Sequence, residues 1–192
     1  NMELKLDIWS IEEGTPVFTN EPLVTVRGPL IQTQLVETLI LICINYPTLI
    51  TTKARRIVES AKKRGVMEFG VRRAQGIDAS IEGARAAYIA GCVGTSNTLA
   101  GLKYNIPTSG TMAHSFVQMH ENEYTAFLEY VKIQPNNSVL LVDTYDTLNS
   151  GVPNAIKVAY DYLIPNGYRL KGIRLDSGDL AYLSKNARKM LD

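Results

Sequence analysis

From residue 66 onward the chain repeats one unit: a short apolar run, a polar turn, then an amphipathic stretch. "VMEFGVRRA" reads as a strand, and "DASIEGARAAYIAG" as a helix capped by Asp78 and closed at Gly91. "CVGTSN" and "IPTSGTMA" read as strand pieces around the helix "TLAGLKY". "ENEYTAFLEYVKI" is helical, "SVLLVDTY" a strand, "VPNAIKVAYDYLIPNG" a helix, "LKGIRLD" a strand and "DLAYLSKNARKML" a helix. Apolar strands alternating with helices predict an α/β fold whose parallel sheet is covered by helices, because parallel strands need a crossover between them. A doubly wound sheet and a (β/α) barrel both satisfy this pattern. In either, chemistry collects where strands end and helices begin.

The first third is built differently. Residues 4–30 alternate loosely, with Gly14-Thr15-Pro16 and Asn20-Glu21-Pro22 as turn signals, and predict two or three antiparallel strands. Residues 31–45 are nearly all apolar and predict a helix covered on most sides. Their most apolar run, "LVETLILICINY", is shorter than a bilayer span and carries Glu37, which favours a buried helix over a membrane segment. Residues 48–64 place Ile50, Ala54, Ile57, Val58 and Ala61 at helical spacing and stop at Gly65; their Lys/Arg excess is a solvated face. The expected organisation is residues 1–30 as part of an N-terminal β-rich domain and 31–192 as part of an α/β domain. The opening strand pair and the helical pattern still running at "KNARKMLD" suggest that both are incomplete and that the chain is a piece of a longer protein.

Composition narrows the partners. With 192 residues, 45% hydrophobic, the chain is long enough for a sizeable core, and a net charge of +1 gives no support for a nucleic-acid partner. The two cysteines, Cys43 and Cys92, lie in apolar surroundings without C-x-x-C spacing. They are expected to be reduced core residues of a cytoplasmic protein. There is no secretory signal pattern.

Polar residues gather at successive strand ends: Arg72, Arg73 and Gln75; Thr95, Ser96 and Asn97; His114; Asp143 and Asp146; Arg174, Asp176 and Asp179. Arginines bind phosphate or carboxylate bidentately, and carboxylates bind Mg²⁺ through oxygen. Together they point to a phosphorylated substrate with a divalent metal. On an extended strand Arg72 and Arg73 face opposite sides, so at most one of them faces the site. The plainer reading makes these groups salt bridges between strand ends and helices, with Asp146 and Asp179 as N-caps. His114 has two readings, a satisfied histidine bonded to a neighbouring hydroxyl or a nucleophile. His120 lies six residues on, which does not suit the i, i+4 pair of a helical zinc site.

Taken together, "EFGVRRAQG", "GTSN", "SGTMAHSF", "DTYDTLNSG" and "IRLDSGDLAYLSKNAR" resemble the nicotinate phosphoribosyltransferase family. The resemblance covers residues 66–192 closely. It implies an irregular (β/α) barrel beside an N-terminal β-rich domain, and a cytoplasmic homodimer with shared active sites. It also implies formation of nicotinate mononucleotide from nicotinate and phosphoribosyl pyrophosphate, coupled to ATP hydrolysis, with Mg²⁺ as cofactor, in NAD biosynthesis. By the same resemblance Phe69 stacks on the pyridine ring, Arg72 contacts phosphate, and Thr95 and Ser96 line the substrate. Arg174 and Asp176 lie near pyridine and ribose, Asp143 lies near ribose and metal, and His114 is phosphorylated by ATP. Asp143 and Asp176 are the expected Mg²⁺ ligands. Ser96 stands where nicotinamide-using relatives carry aspartate, which removes a negative charge that would repel a carboxylate substrate.

The family's substrate-covering tyrosine segment and its Gly-rich 5′-phosphate loop are missing from these residues, so the piece alone is expected to be weakly active or inactive. The alternatives are a nicotinamide or quinolinate phosphoribosyltransferase, or an inactive barrel fragment. A barrel aldolase would need a Schiff-base lysine at a strand end, whereas Lys103 falls in a helix.

Overall fold

A computed structural model describes residues 3–192. The chain folds as two compact units, the first ending at Ser109 and the second running Gly110–Asp192. In the first unit the loose alternation near the start produces an antiparallel pair, β1 (Asp7–Ser10) and β2 (Val24–Arg27), in register Asp7↔Arg27 to Ser10↔Val24.

The next segment departs from expectation. Instead of two helices there is one, α1 (Leu30–Ser60), with Pro47 inside it. A proline costs about 3 kcal/mol within a helix, having no N–H to donate and clashing with the turn before it. Here the helix is held on both sides of Pro47 by α2 (Ile77–Ile89): the Tyr46 hydroxyl donates to the Ala79 carbonyl (3.0 Å), and the Thr51 hydroxyl donates to that of Ala86 (3.2 Å). Ala54 packs with Ala87, Ala90 and Cys92, flanked by Ile50 and Val58. The predicted cover over residues 31–45 does not form: Ile31, Leu35, Leu39, Leu41 and Ile42 are exposed, as is Cys43, while Cys92 is buried. The expectation drawn from shortness also fails, because α1 is long and apolar enough to cross a bilayer by length and composition. Lys53, Arg55 and Arg56 face solvent, as their spacing predicts.

Beyond α1 the strand–helix rhythm holds, but the strands are short. β3 (Met67–Glu68) pairs in parallel with β4 (Gly94–Thr95), on either side of α2. "IPTSGTMA" contributes a single parallel bridge, Thr108 to Thr95. α2 starts from Gly76, and Asp78 lies in its first turn, so the cap is one residue pair earlier than predicted. Its end is as read: Gly91 has φ +108°, a left-handed geometry that glycine adopts without strain. α3 (Thr98–Tyr104) follows, capped by Asn97, whose side chain accepts the Ala100 N–H.

The second unit holds α4 (His114–Gln118), α5 (Glu123–Ile133), β5 (Val139–Leu141), a π-turn at Thr147–Gly151, α6 (Val152–Val158), β6 (Gly172–Arg174) and α7 (Leu180–Leu191). β5 and β6 pair in parallel, in register Val139↔Gly172 to Leu141↔Arg174. Leu140, Leu141 and Val142 are fully buried against Phe127 and Val131 of α5, Val152, Ala155 and Val158 of α6, and Leu163. Each such large side chain contributes about 1.5–3 kcal/mol on burial. The fold is mixed α/β. Among the described residues the strands form three two-stranded sheets and no closed barrel.

Candidate active site

The β5–β6 register brings the second unit's polar groups together. Leu141 lies opposite Arg174, so two residues further on Asp143 meets the start of the Asp176-Ser177 turn. The Asp143 carboxylate is only 2% exposed. Its Oδ2 accepts the Asp176 N–H (2.8 Å) and the Ser177 hydroxyl (2.7 Å), and its Oδ1 lies 3.1 Å from His114 Nε2. Burial pushes this carboxyl up, but the Ser177 hydroxyl, the Asp176 amide and His114 together draw it below its ordinary value. It is therefore an anion at neutral pH.

A fixed anion at Oδ1 requires a donor facing it, so Nε2 of His114 carries a proton, and in the neutral ring the lone pair is then on Nδ1. The histidine side chain is 39% exposed, so its ring is reachable. It opens α4, after an extended Ala113. The plainer of the two readings of His114 gave it a hydroxyl partner; the partner is a buried carboxylate.

Arg174 extends the cluster. Its Nη1 donates to the Thr111 hydroxyl (2.6 Å) and its Nη2 to Asp176 Oδ1 (2.9 Å). Thr111, His114, Asp143, Arg174, Asp176 and Ser177 thus form one connected polar surface. Sequence reasoning found four of the six. Thr111 and Ser177 were missed, although both stand inside motifs already singled out, "SGTMAHSF" and "IRLDSGD". Asp146 and Asp179 are the caps of the plainer reading: Asp146 accepts the Leu148 and Asn149 amides, and Asp179 accepts that of Tyr182.

In the first unit the organising group is Glu68, another omission. Its carboxylate accepts the Gly70 N–H and the Thr95 hydroxyl (2.6 Å), and its carbonyl accepts the Ser96 N–H (2.9 Å). Thr95 is fully buried, and its oxygen also accepts the Asn97 N–H (2.9 Å). That buried hydroxyl therefore organises the turn. Phe69 is 43% exposed on the loop that Glu68 shapes, and Ser96 is half-buried. Val71–Arg73 forms a 3₁₀ turn, not an extended strand, so the opposite-face argument for Arg72 and Arg73 does not apply; both are exposed.

As Mg²⁺ ligands the two aspartates differ. Asp143 is enclosed by three donors and does not fit, whereas Asp176 shares one oxygen with Arg174 and sits at the surface. Among the described residues no three His, Cys, Asp or Glu side chains are grouped to hold a metal ion.

Residues 65–190 match the model of the nicotinate phosphoribosyltransferase (NAPRTase) family. The chain belongs to that family. It is 54% identical over 186 residues to a nicotinate phosphoribosyltransferase of Bacillus subtilis (strain 168), covering 96% of this chain and 37% of that protein. Among solved structures it resembles human nicotinic acid phosphoribosyltransferase with a TM-score of 0.88 at 31% identity, covering 96% of this chain and 46% of that one. It also resembles the nicotinate-nucleotide pyrophosphorylase of Pyrococcus furiosus, with a TM-score of 0.82 at 26% identity over 97% and 48% of the two chains. The chain therefore spans between 37% and 48% of the length of these relatives.

Proposed function

We propose that this protein forms nicotinate mononucleotide and pyrophosphate from nicotinate and phosphoribosyl pyrophosphate, with ATP hydrolysis coupled through a phosphohistidine at His114. The observation that carries this reading is the pairing of an accessible imidazole with a buried, hydrogen-bonded carboxylate beside an arginine. His114 Nδ1 attacks the γ-phosphorus of ATP. The P–N bond forms as the P–O bond to ADP breaks, and ADP leaves with the electron pair. The ring keeps its Nε2 proton and becomes cationic, and the Asp143 carboxylate 3.1 Å away stabilises that charge. No proton needs to leave the ring. The phosphoryl group adds about −1.5 to −2 charges near Arg174, by analogy with other phosphorylated side chains. It competes with Asp176 for the guanidinium and loosens the Thr111–Arg174–Asp176 arrangement.

In the transfer step the pyridine nitrogen of nicotinate attacks C1 of the ribose, the bond to pyrophosphate breaks, and charge of oxocarbenium type develops at C1. Asp176 is the carboxylate suited to face that charge. Arg174 and the exposed Arg72 are suited to phosphate or carboxylate oxygens. Phe69 supplies an aromatic face for the pyridine, Ser96 a neutral surface beside its carboxylate, and Thr95 holds the turn that presents both. Mg²⁺ would neutralise pyrophosphate charge, arriving on the substrate phosphates and touching the protein at Asp176. Family membership supports a cytoplasmic homodimer with an irregular (β/α) barrel.

The test uses the whole protein with γ-labelled ATP. Wild type should acquire acid-labile, base-stable label and hydrolyse ATP, and His114→Ala should lose both. Normal labelling of that variant removes the assignment.

A further inference from the structure

Two features of the second unit are not used by the site as described. Glu123, the first residue of α5, is 2% exposed, and it has no cationic partner among the described residues. One of its oxygens is bonded to the Ser150 hydroxyl, while Oε1 is buried with no hydrogen-bond partner at all. The charged group that acts on it is Asp146, of like sign. A carboxylate in such a place is strongly disfavoured. As a neutral acid protonated on Oε2, it donates to Ser150 and leaves only an uncharged carbonyl oxygen without a partner. Burial raises this carboxyl above its ordinary value, against the opposing Ser150 hydroxyl and the nearby Asn154 amide.

The second feature is Gly151, which follows Ser150. Its backbone is ordinary helix (φ −60°, ψ −54°), so conformation does not demand glycine there. Space does. A Cβ built on Gly151 would lie 1.9 Å from the Val142 carbonyl oxygen and 2.6 Å from its carbon. The π-turn is pressed directly onto the residue before Asp143, and any retreat of that turn frees the strand end carrying the carboxylate.

We propose that Glu123, Ser150 and Gly151 form a latch that positions Asp143 against His114, with Glu123 acting as a neutral acid. All three are positioning residues, since none touches the imidazole. The effect on catalysis rests on the phosphohistidine reading; the effect on His114 geometry does not.

Two measurements on the whole protein test the latch: nitrogen NMR of labelled histidine, which reports the His114 tautomer, and the rate of labelling from ATP. Wild type should show the Nε2-protonated tautomer. Gly151→Ala and Ser150→Ala should each give a tautomer mixture and slow labelling by about tenfold to a hundredfold, the scale expected for a misplacement near 1 Å. Glu123→Gln, an uncharged side chain of the same shape that donates to Ser150, should retain both properties, whereas Glu123→Ala should lose them. A wild-type His114 tautomer in folded Ser150→Ala protein overturns the latch, as does Glu123→Gln proving as harmful as Glu123→Ala. If Gly151→Ala does not fold, Ser150→Ala decides. Absence of any label on wild-type protein would refute the phosphohistidine instead, and the tautomer measurement would still judge the latch.

Discussion

The two units bury different kinds of core. The second is centred on Phe127, Leu140, Leu141, Val142, Val152 and Leu163, all fully enclosed. The first has two small clusters built mostly from alanine, Ala54–Ala87–Ala90–Cys92 and Ile81–Ala84–Ala100, while its large apolar residues at 30, 31, 35, 39, 41, 42 and 49 face outward along α1. Alanine lets helices and strands approach closely but removes little apolar area from water. The second unit therefore carries its stabilisation within itself, and its polar site stands on a rigid floor. The first relies on backbone proximity and on local polar ties such as Glu68–Thr95.

The largest expected effect tests this contrast directly. Phe127→Ala should cost about 3–5 kcal/mol, and Ile81→Ala, in the sparser core, about 2 kcal/mol. Denaturant unfolding with a probe in each unit measures both; equal costs would break the comparison. Next come the polar anchors. Asp143→Ala strands the Asp176 amide and Ser177 hydroxyl and should cost about 2–3 kcal/mol. Thr95→Val strands the Asn97 amide and Glu68 and should cost about 1–2 kcal/mol.

The pH response should also separate two carboxyls within the second unit. Glu123 is favoured neutral by the fold, so its contribution is full below the unfolded carboxyl value and fades as pH rises through its raised folded value. Asp143 behaves oppositely: its contribution is present above the unfolded value and is lost as pH falls through its depressed one. Thermal unfolding of Glu123→Gln should lose this decline with rising pH.

The smallest effect belongs to the first unit's surface. Glu13 is held down chiefly by its Arg85 hydrogen bonds against some burial, so that tie weakens as pH falls through the lowered Glu13 value. Because the pair is largely solvated, Arg85→Ala should cost about 0.5 kcal/mol, and less in high salt. A double-mutant cycle with Glu13→Gln measures it.

The residues were legible where chemistry follows local pattern. Strand ends announced His114, Asp143, Arg174 and Asp176, because an apolar run followed by polar residues marks an edge whatever it pairs with. Partners set by register were not legible. Nothing local links Arg174 to Thr111, 63 residues away, or Ser177 to Asp143, 34 away. Gly151 looked like an ordinary turn glycine, since its need for space depends on a strand read separately. The errors at α1 share one cause: apolar composition shows what favours burial, not whether other chain lies over it. At Arg72 and Arg73 a two-residue strand was extrapolated through a turn, so alternation was applied where the backbone had already curled.

The three donors around Asp143 come from segments that a ribosome delivers in sequence. His114 emerges first and the carboxylate second, while Asp176 and Ser177 follow only after another helix and strand have been made. Until then the nascent strand end holds an aspartate lacking two of its three hydrogen bonds. A product released at residue 170 would already contain the histidine and the aspartate yet lack two of the three donors that fix the carboxylate, so the completed imidazole–carboxylate arrangement is a late product of synthesis.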